Sequence, residues 1–582
     1  MTNTELDILN FIKKNRIVNE KKVNELMIEV DEKDLSISEV LLNEVFFDEE
    51  SMLIFVNELL QKNIIGLNDI TENFPVNMEI VLKNFAESIN AQYMDLDTVD
   101  INYKLASIAP LNQLKRYLAL PLFEDKTSTY IAFGEPFNIK AQEAMQRYYP
   151  KKLIKVVISD PIQIEKYFNK LEISGGTKDL INEIRRELTT SAAENPGESS
   201  GVMKLIESII KTAILYRGSD IHIEPTENNC IVRTRVDGML NESFVFDKDI
   251  YPPLSSRIKL LSNLDIAERR KPQDGRFSLV VMDKEFDFRV STLPITNGES
   301  IVMRILDKSK VMIKMDSLGM SKITFEKFNH AMRVPYGIVF VTGPTGSGKT
   351  TTLYAALNAI KSISKKIITV EDPVEYQLNL TQQTQVNEKA NLTFSSALKS
   401  ILRQDPDVIM IGEVRDHETL RIAIQAALTG HLVFSTLHTN DAISAINRIM
   451  DMGIEPYLVS GSLIAIEAQR LIRKLCPHCK SKVVLPKNTI EEFKNFLPEH
   501  YNFYKAIGCD KCAGSGYFGR EMISEILVIS EEIQSIIAKG GSKAEITEQA
   551  KRDGFANMMQ DGIIRAANGI TSIEEVYRVV KS

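Results

Sequence analysis

The 582-residue sequence has no tryptophan, only seven histidines and five cysteines, and fewer basic side chains (70) than acidic ones (78), a formal charge of −8. An acidic balance argues against a surface that displaces counterions from duplex phosphates. The missing tryptophan, with no stripe of interleaved aromatic and basic residues, argues against a stacking platform for single strands. No apolar run approaches the roughly 18–20 residues of a membrane-spanning helix. The longest, Gly337-Ile-Val-Phe-Val341 and Val408-Ile-Met-Ile411, have the length of buried strands. The N-terminus, Met1 to Asp7, offers neither the basic region nor the apolar core of a secretory signal. A cytosolic protein without a nucleic-acid partner is expected. Four of the five cysteines form two close pairs, which in a reducing compartment point to metal or redox chemistry before disulfides.

What is present reads as several domains, because 582 residues exceed one hydrophobic core, and the 44% apolar and 25% charged content is ordinary for a globular chain. Residues 1–172 read as helix-rich. Leu53, Phe55, Val56, Leu59 and Leu60 recur at helical spacing, as do Ala141, Ala144 and Met145, and Leu120–Phe123 and Thr129–Phe133 read as two strands. Between Ile173 and Gly201 the composition turns polar and rich in Gly, Pro and Ser, so 173–201 is expected to be a flexible linker. Residues 202–315 begin with a helical pattern and become β-rich, with Asp237-Gly238 as a hairpin turn. Strands and helices alternate over 316–470, predicting a parallel α/β sheet, and 471–582 carries the cysteine pairs and amphipathic helices.

The most informative string is Gly343-Pro344-Thr345-Gly346-Ser347-Gly348-Lys349-Thr350, which fits the phosphate-loop pattern without a mismatch. A β-branched strand precedes it, and a helix beginning near Thr351 follows. Glycine loop and helix N-terminus together cradle phosphates with backbone N–H groups. Lys349 is expected to reach the β- and γ-phosphates and the Thr350 hydroxyl to bind Mg²⁺. Three further strands end in polar residues: Glu371 after Ile367–Val370, Glu413 after Val408–Ile411, and His438 after Leu432–Thr436. Ligands of open parallel sheets bind at the carboxyl edge of the strands, so these tips are expected to form one site. One of Glu371 and Glu413 should activate the attacking water while the other helps hold Mg²⁺ through its waters, and the spacing does not assign them. His438 is a candidate γ-phosphate sensor or a structural histidine, and His431, before its strand, reads as structural.

At this point several longer stretches carry a resemblance. Glu371-Asp-Pro-Val-Glu375, Leu402 to Asp416 and Gly430 to Asp441 resemble the Asp box, Walker B and His box of bacterial type II secretion and type IV pilus assembly ATPases. Upstream, Gly218 to Pro225, Arg270 to Arg276 and Arg289 to Pro294 resemble that family's second N-terminal domain. The resemblance implies a RecA-like P-loop NTPase core, a preceding α+β (PAS-like) domain, and a cytoplasmic homo-hexameric motor. Such a motor docks on an inner-membrane platform protein and is peripheral to the membrane. Gly412 stands where most P-loop enzymes have the Mg²⁺-binding Asp, which leaves that task to Glu371 or Glu413. Arg289 and Arg304 occupy the family's arginine positions. Either they reach the γ-phosphate when the domains close, or they form ion pairs within their own domain. Arg304 interrupts an apolar strand, an expensive place for an unpartnered charge.

Cys476-Pro-His-Cys479 and Cys509-Asp-Lys-Cys512 are two C-x₂-C knuckles 29 residues apart, and four thiolates suit a closed, structural Zn²⁺ site. They resemble the tetracysteine element of the assembly ATPases. Cys230, at the start of a strand, is expected to be buried and inert. Residues 86–171 resemble the family's first N-terminal domain. Asp34 to Leu42 lacks the Arg and Gly of the relatives' cyclic di-GMP motif, so dinucleotide binding is not expected.

Overall fold

The computed structural model describes the chain apart from residues 1–2, 16–48, 191–199 and 308–313 and the single positions 75, 97, 100, 107, 177, 484, 486 and 582. The segment Asp34 to Leu42, on which the dinucleotide expectation rests, lies outside the described residues. The N-terminal helices Asn3–Lys14, Glu49–Gln61 and Met78–Ser88 share one apolar core. The helical stripe delivers Phe55, Val56, Leu59 and Leu60 to it as expected. Beside it stands a four-stranded sheet of β1 (Gln92–Tyr93), β2 (Ala119–Glu124), β3 (Ser128–Phe133) and β4 (Leu153–Ile158), ordered β1-β4-β3-β2.

The stretch 173–201 departs from the linker expectation. Helices Pro161–Gly176 and Lys178–Thr190 run through it, a third, Ser200–Leu215, begins at its end, and 191–199 lies outside the described residues. Ile184 is fully buried in the core of the next domain, and Arg185 bonds Asp247 at 2.6 Å and Asp249 at 2.8 Å. The Gly and Ser of Ser174-Gly-Gly-Thr177 masked an amphipathic period that pays its ordering cost through burial.

That next domain is an antiparallel six-stranded sheet in the order β7-β6-β5-β10-β9-β8. Its strands are β5 (Gly218–Pro225), β6 (Asn229–Val236), β7 (Met239–Asp247), β8 (Gln273–Val281), β9 (Lys284–Ile295) and β10 (Gly298–Asp307). One face packs on helices Ser200–Leu215 and Tyr251–Leu261 through Phe286, Phe288, Val290, Ile301 and Met303. The period of two therefore turns Arg289 and Arg304 onto the opposite, polar face. Arg304 is 58% exposed and bonds Asp220 at 3.0 Å, so its charge was never inside the core. Cys230 is buried as expected, and burial pushes its thiol up to about 12.

The C-terminal half is built on seven strands: β11 (Gly337–Thr342), β12 (Ile367–Glu371), β13 (Thr381–Gln385), β14 (Val408–Ile411), β15 (Leu432–Leu437), β16 (Leu463–Leu475) and, after the small hairpin β17 (Ser481–Val483) and β18 (Phe503–Lys505), β19 (Tyr517–Val528). Their order is β13-β12-β14-β15-β11-β16-β19, all parallel but β19. The boundary drawn at 470 falls inside β16. This strand outruns β11 and pairs with β19 along its length, so the sheet of the α/β region carries the cysteine element. Residues buried on both faces, such as Ile338 to Val341 and Val408 to Ile411, explain the continuous apolar runs. Among the described residues no helix is long and apolar enough to cross a membrane.

Candidate functional site

β11 delivers the glycine loop to the carboxyl edge of the sheet, and helix Lys349–Ile360 leaves from it. The loop turns on residues no side chain would tolerate. Gly343, Gly346 and Gly348 have φ of 143°, 79° and 93°, and a Cβ on Gly343 would lie 2.5 Å from the Gln469 carbonyl. Lys349 Nζ donates to the carbonyls of Gly343 (2.9 Å) and Pro344 (3.0 Å), folding the ammonium over the loop. Burial lowers its pKa, and the Glu413 carboxylate opposes that shift. This loop, with its helix N-terminus and flanking cation, fits an anionic phosphate chain. Thr345, Gly346 and Thr350 are exposed at its mouth, while Pro344, Gly348 and Thr351 are half-buried.

The other polar tips reach the same edge at different distances. β15 adjoins β11, β14 is one strand further and β12 one beyond that, so at about 4.8 Å per strand Glu413 starts roughly 10 Å, and Glu371 roughly 14 Å, from the loop strand. Glu413 lies between Arg415 (2.5 Å) and His438 Nε2 (3.4 Å). Side-chain bonds fasten this corner: Thr436 Oγ1 donates to Gly412 O at 2.8 Å, and Thr342 Oγ1 accepts the Thr439 N–H at 2.9 Å, framing His438. Glu371 differs. It is 3% exposed, and its carboxylate accepts bonds from Thr369 Oγ1 (2.5 Å), Gln383 Nε2 (3.1 Å) and the Tyr354 hydroxyl. A Cβ built on Gly412 would lie 3.4 Å from the Glu371 Cα, so the place of the customary Walker B side chain is pressed against the neighbouring strand.

Four participants were not foreseen. Gln469 on β16 is fully buried; it donates to Ser347 O at 2.7 Å and accepts from Thr352 Oγ1 at 2.8 Å, bracing the loop from behind. Tyr354, Thr369 and Gln383 hold Glu371. For Gln469 a signal existed, since Glu467 and Gln469 stand two apart in the strand's first half, among Leu463, Ile464, Ala465, Ile466 and Ala468. Glu467 is also buried, neither of its carboxylate oxygens finds a partner among the described residues, and burial raises its pKa to about 8.

The two arginines part company. Arg289 crosses to the loop after β12, where it bonds the Glu375 carboxylate at 2.9 Å and Val374 O at 3.0 Å. Arg304 stays with Asp220 on its own sheet. They are nevertheless cross-strand neighbours, and Arg276 on β8 pairs opposite Arg289, so three like charges stand in register. That arrangement is unfavourable on a bare sheet. A cavity of about 450 Å³ opens beside them.

At the far ends of β16 and β19 the two knuckles converge. The four sulfurs lie within 4.8 Å of one another, with Cys476–Cys509 at 3.9 Å, Cys479–Cys512 at 3.8 Å and Cys509–Cys512 at 3.7 Å. Tetrahedral zinc with bonds of about 2.3 Å requires sulfurs about 3.8 Å apart, so this tetracysteine cluster fits the ion. Gly508 and Gly516 direct N–H groups at Cys479 and Cys512, at 3.3 and 3.2 Å. The domain of β5–β10 leans on the strand leaving this element: Asp237 accepts the Gly519 N–H at 3.0 Å, and the Arg217 guanidinium lies 3.5 Å over the Phe518 ring.

Known proteins resemble this chain in sequence over most of its length. Residues 196–578 match the family described as type II/IV secretion system protein, and residues 89–177 match the MshEN domain. The type II secretion system ATPase E of Vibrio cholerae is 43% identical over 75% of this chain and 87% of its own length. The type IV pilus assembly ATPase PilB of Myxococcus xanthus is 38% identical over 83% and 88%. Among solved structures, the pilus retraction motor PilT with bound ADP is similar at a TM-score of 0.46 and 26% identity, over 64% of this chain and 96% of that one. With two thirds of its length matched by one family model and relatives this similar, the chain belongs to the type II/IV secretion system protein family and is one of its ATPases.

Proposed function

We propose that this ATPase is a cytoplasmic, homo-hexameric motor that powers filament or pseudopilus assembly through an inner-membrane platform protein, in a type II secretion or type IV pilus system. The observation that carries this reading is that Lys349 lies within electrostatic reach of Glu413 at the carboxyl edge of one sheet, with His438 bonded to Glu413. The strand order on either side of β11 supports a RecA-like core, and the antiparallel sheet of β5–β10 supports a PAS-like domain ahead of it.

In this mechanism the backbone N–H groups of Gly343 to Gly348 receive phosphate oxygens, and Lys349 exchanges its two carbonyls for them. Thr350 would hold Mg²⁺, which supplies charge neutralisation across the phosphates. Glu413, with fewer donors and more exposure than Glu371, is assigned as the group that orients and deprotonates the attacking water, and His438 as its neighbour at the γ-phosphate. Closure of the domain of β5–β10 brings Arg289, and beside it Arg304, to the triphosphate. An arginine delivered this way can be worth about 10³–10⁵ in rate, so closing is part of catalysis and hydrolysis reopens the domains. Zn²⁺ on Cys476, Cys479, Cys509 and Cys512 is structural.

ATP turnover of the purified chain, alone, with a platform cytoplasmic domain and with DNA, tests the reading. Stimulation by the platform domain and not by DNA is expected, with a native mass of six chains in the presence of nucleotide. Wild-type hydrolysis by Glu413→Gln would sink the site, and wild-type hydrolysis by both Arg289→Ala and Arg304→Ala would sink the closure mechanism.

A further inference from the structure

The carboxylate of Glu371 is solvated almost entirely by protein, and its surroundings are asymmetric. Oε1 accepts Thr369 Oγ1 and Gln383 Nε2, both from the β12–β13 edge of the sheet. Among the described residues, Oε2 takes its hydrogen bond from the Tyr354 hydroxyl, which belongs to the phosphate-loop helix, five residues after Lys349. That hydroxyl is a junction: it also accepts the backbone N–H of Glu375 at 3.4 Å and, at 3.5 Å, Gln383 Nε2. Glu375 in turn holds Arg289 from the neighbouring domain. The ring has no freedom to drift. It is 1% exposed and gripped edge-on by Tyr376, with centroids 4.7 Å apart at 89°. Burial first, and the bond to Glu371 second, raise the phenol pKa, so the O–H remains a donor throughout the working pH range.

We propose that Tyr354 is a positioning residue for hydrolysis: its hydroxyl ties the Glu371 carboxylate, and through Glu375 the docking loop of Arg289, to the helix that carries the phosphates. Among the described residues no other side chain of that helix hydrogen-bonds this strand tip, three strands away from the loop. Thr369 and Gln383 fix Glu371 against the sheet, and Tyr354 fixes it against the nucleotide. Because Glu371 abuts Gly412, the residue before Glu413, its orientation also sets the space in which Glu413 works. A misplacement of about 1 Å at such a point costs up to about 100-fold in rate.

The inference rests on the proposed ATPase site, and its test is separate from that of Glu413. Tyr354→Phe keeps the ring and removes only the hydroxyl. Steady-state hydrolysis by the full-length chain should show kcat lowered roughly 10- to 100-fold, with KM for ATP and affinity for fluorescent ADP within about twofold, because Lys349 and its loop are untouched. Tyr457→Phe, which removes the hydroxyl of an exposed ring outside this network, should turn over like wild type. The decisive measurement is a double-mutant cycle with Glu371→Gln, read in single turnover with enzyme in excess so that slow variants still report. If Tyr354 acts through Glu371, adding Tyr354→Phe to Glu371→Gln changes the rate less than twofold. Three results overturn the proposal: kcat of Tyr354→Phe within twofold of wild type, an equal loss in both backgrounds, or a KM that rises together with a fall in thermal midpoint. If Glu413→Gln is inactive while Tyr354→Phe is normal, the site stands and this inference alone falls.

Discussion

β16 braces the phosphate loop from behind and leads into the tetracysteine cluster, yet the two sites are built on opposite plans. At the loop, the charged groups have partners that a ligand can displace: Lys349 sits on backbone carbonyls, and Glu413 on a largely exposed Arg415. At the cluster, four sulfurs face one another at the spacing of a metal tetrahedron, and backbone N–H groups are aimed at them. A site that turns over must exchange partners, whereas one that staples must close on itself. The two are joined by Gln469, which braces the loop, and by Cys476, seven residues further along the chain and just past the end of the same strand.

Breaking either site should therefore fail differently. The largest effect is expected from Lys349→Ala and Glu413→Gln, each lowering kcat by at least about 100-fold while the thermal midpoint stays near wild type; Glu413→Gln retains nucleotide binding and Lys349→Ala loses it. Next comes Cys509→Ser, or chelation, which should release zinc and unfold the 480–508 insert and the C-terminal helices packed on Phe493 and Phe503. Limited proteolysis would show cleavage in that insert while the loop still binds ADP; an intact insert without zinc would refute the structural assignment. Gln469→Leu is smaller. It strips donor and acceptor from a buried pair of bonds, so a destabilisation of about 1–3 kcal/mol is expected, with weaker ADP binding measured by titration. The smallest is a pH effect. Glu467 holds its proton to about 8 when folded, against 4.5 in the unfolded chain, so it favours folding at low pH and that contribution is lost as the pH rises between those values. Thermal melts should show Glu467→Gln gaining on wild type from pH 5 to pH 8; a constant difference would mean that water or a partner reaches the carboxylate.

Much of the site was legible because its chemistry is local. A glycine loop, the following Lys-Thr and two C-x₂-C knuckles each declare themselves within eight residues, and the alternation of Phe286, Phe288 and Val290 correctly turned Arg289 away from the core. The linker was misread because composition reports residue types and not their contacts. Ile184 and Arg185 gain their anchors from residues tens of positions away. The boundary at 470 failed for a similar reason, since β19, which pairs with β16, lies beyond the knuckles. The roles of Glu371 and Glu413 could not be separated in one dimension, because both are glutamates after apolar strands and only their neighbours differ.

By itself the sequence determined the chemistry: which strand precedes a phosphate loop, which tips are acidic, where four thiols can meet, and to which family the motifs point. Short-range rules suffice there, because backbone conformation and side-chain period act over a few residues. Tertiary structure alone decided that Glu371 is buried under three donors, that Tyr354 and Gln469 brace the site from behind, and that Arg289 reaches another domain while Arg304 does not. Burial and hydrogen-bond partnership join chain segments that are 17 residues apart for Tyr354 and Glu371 and 122 apart for Gln469 and Ser347, and strand order, which no local pattern encodes, sets those meetings.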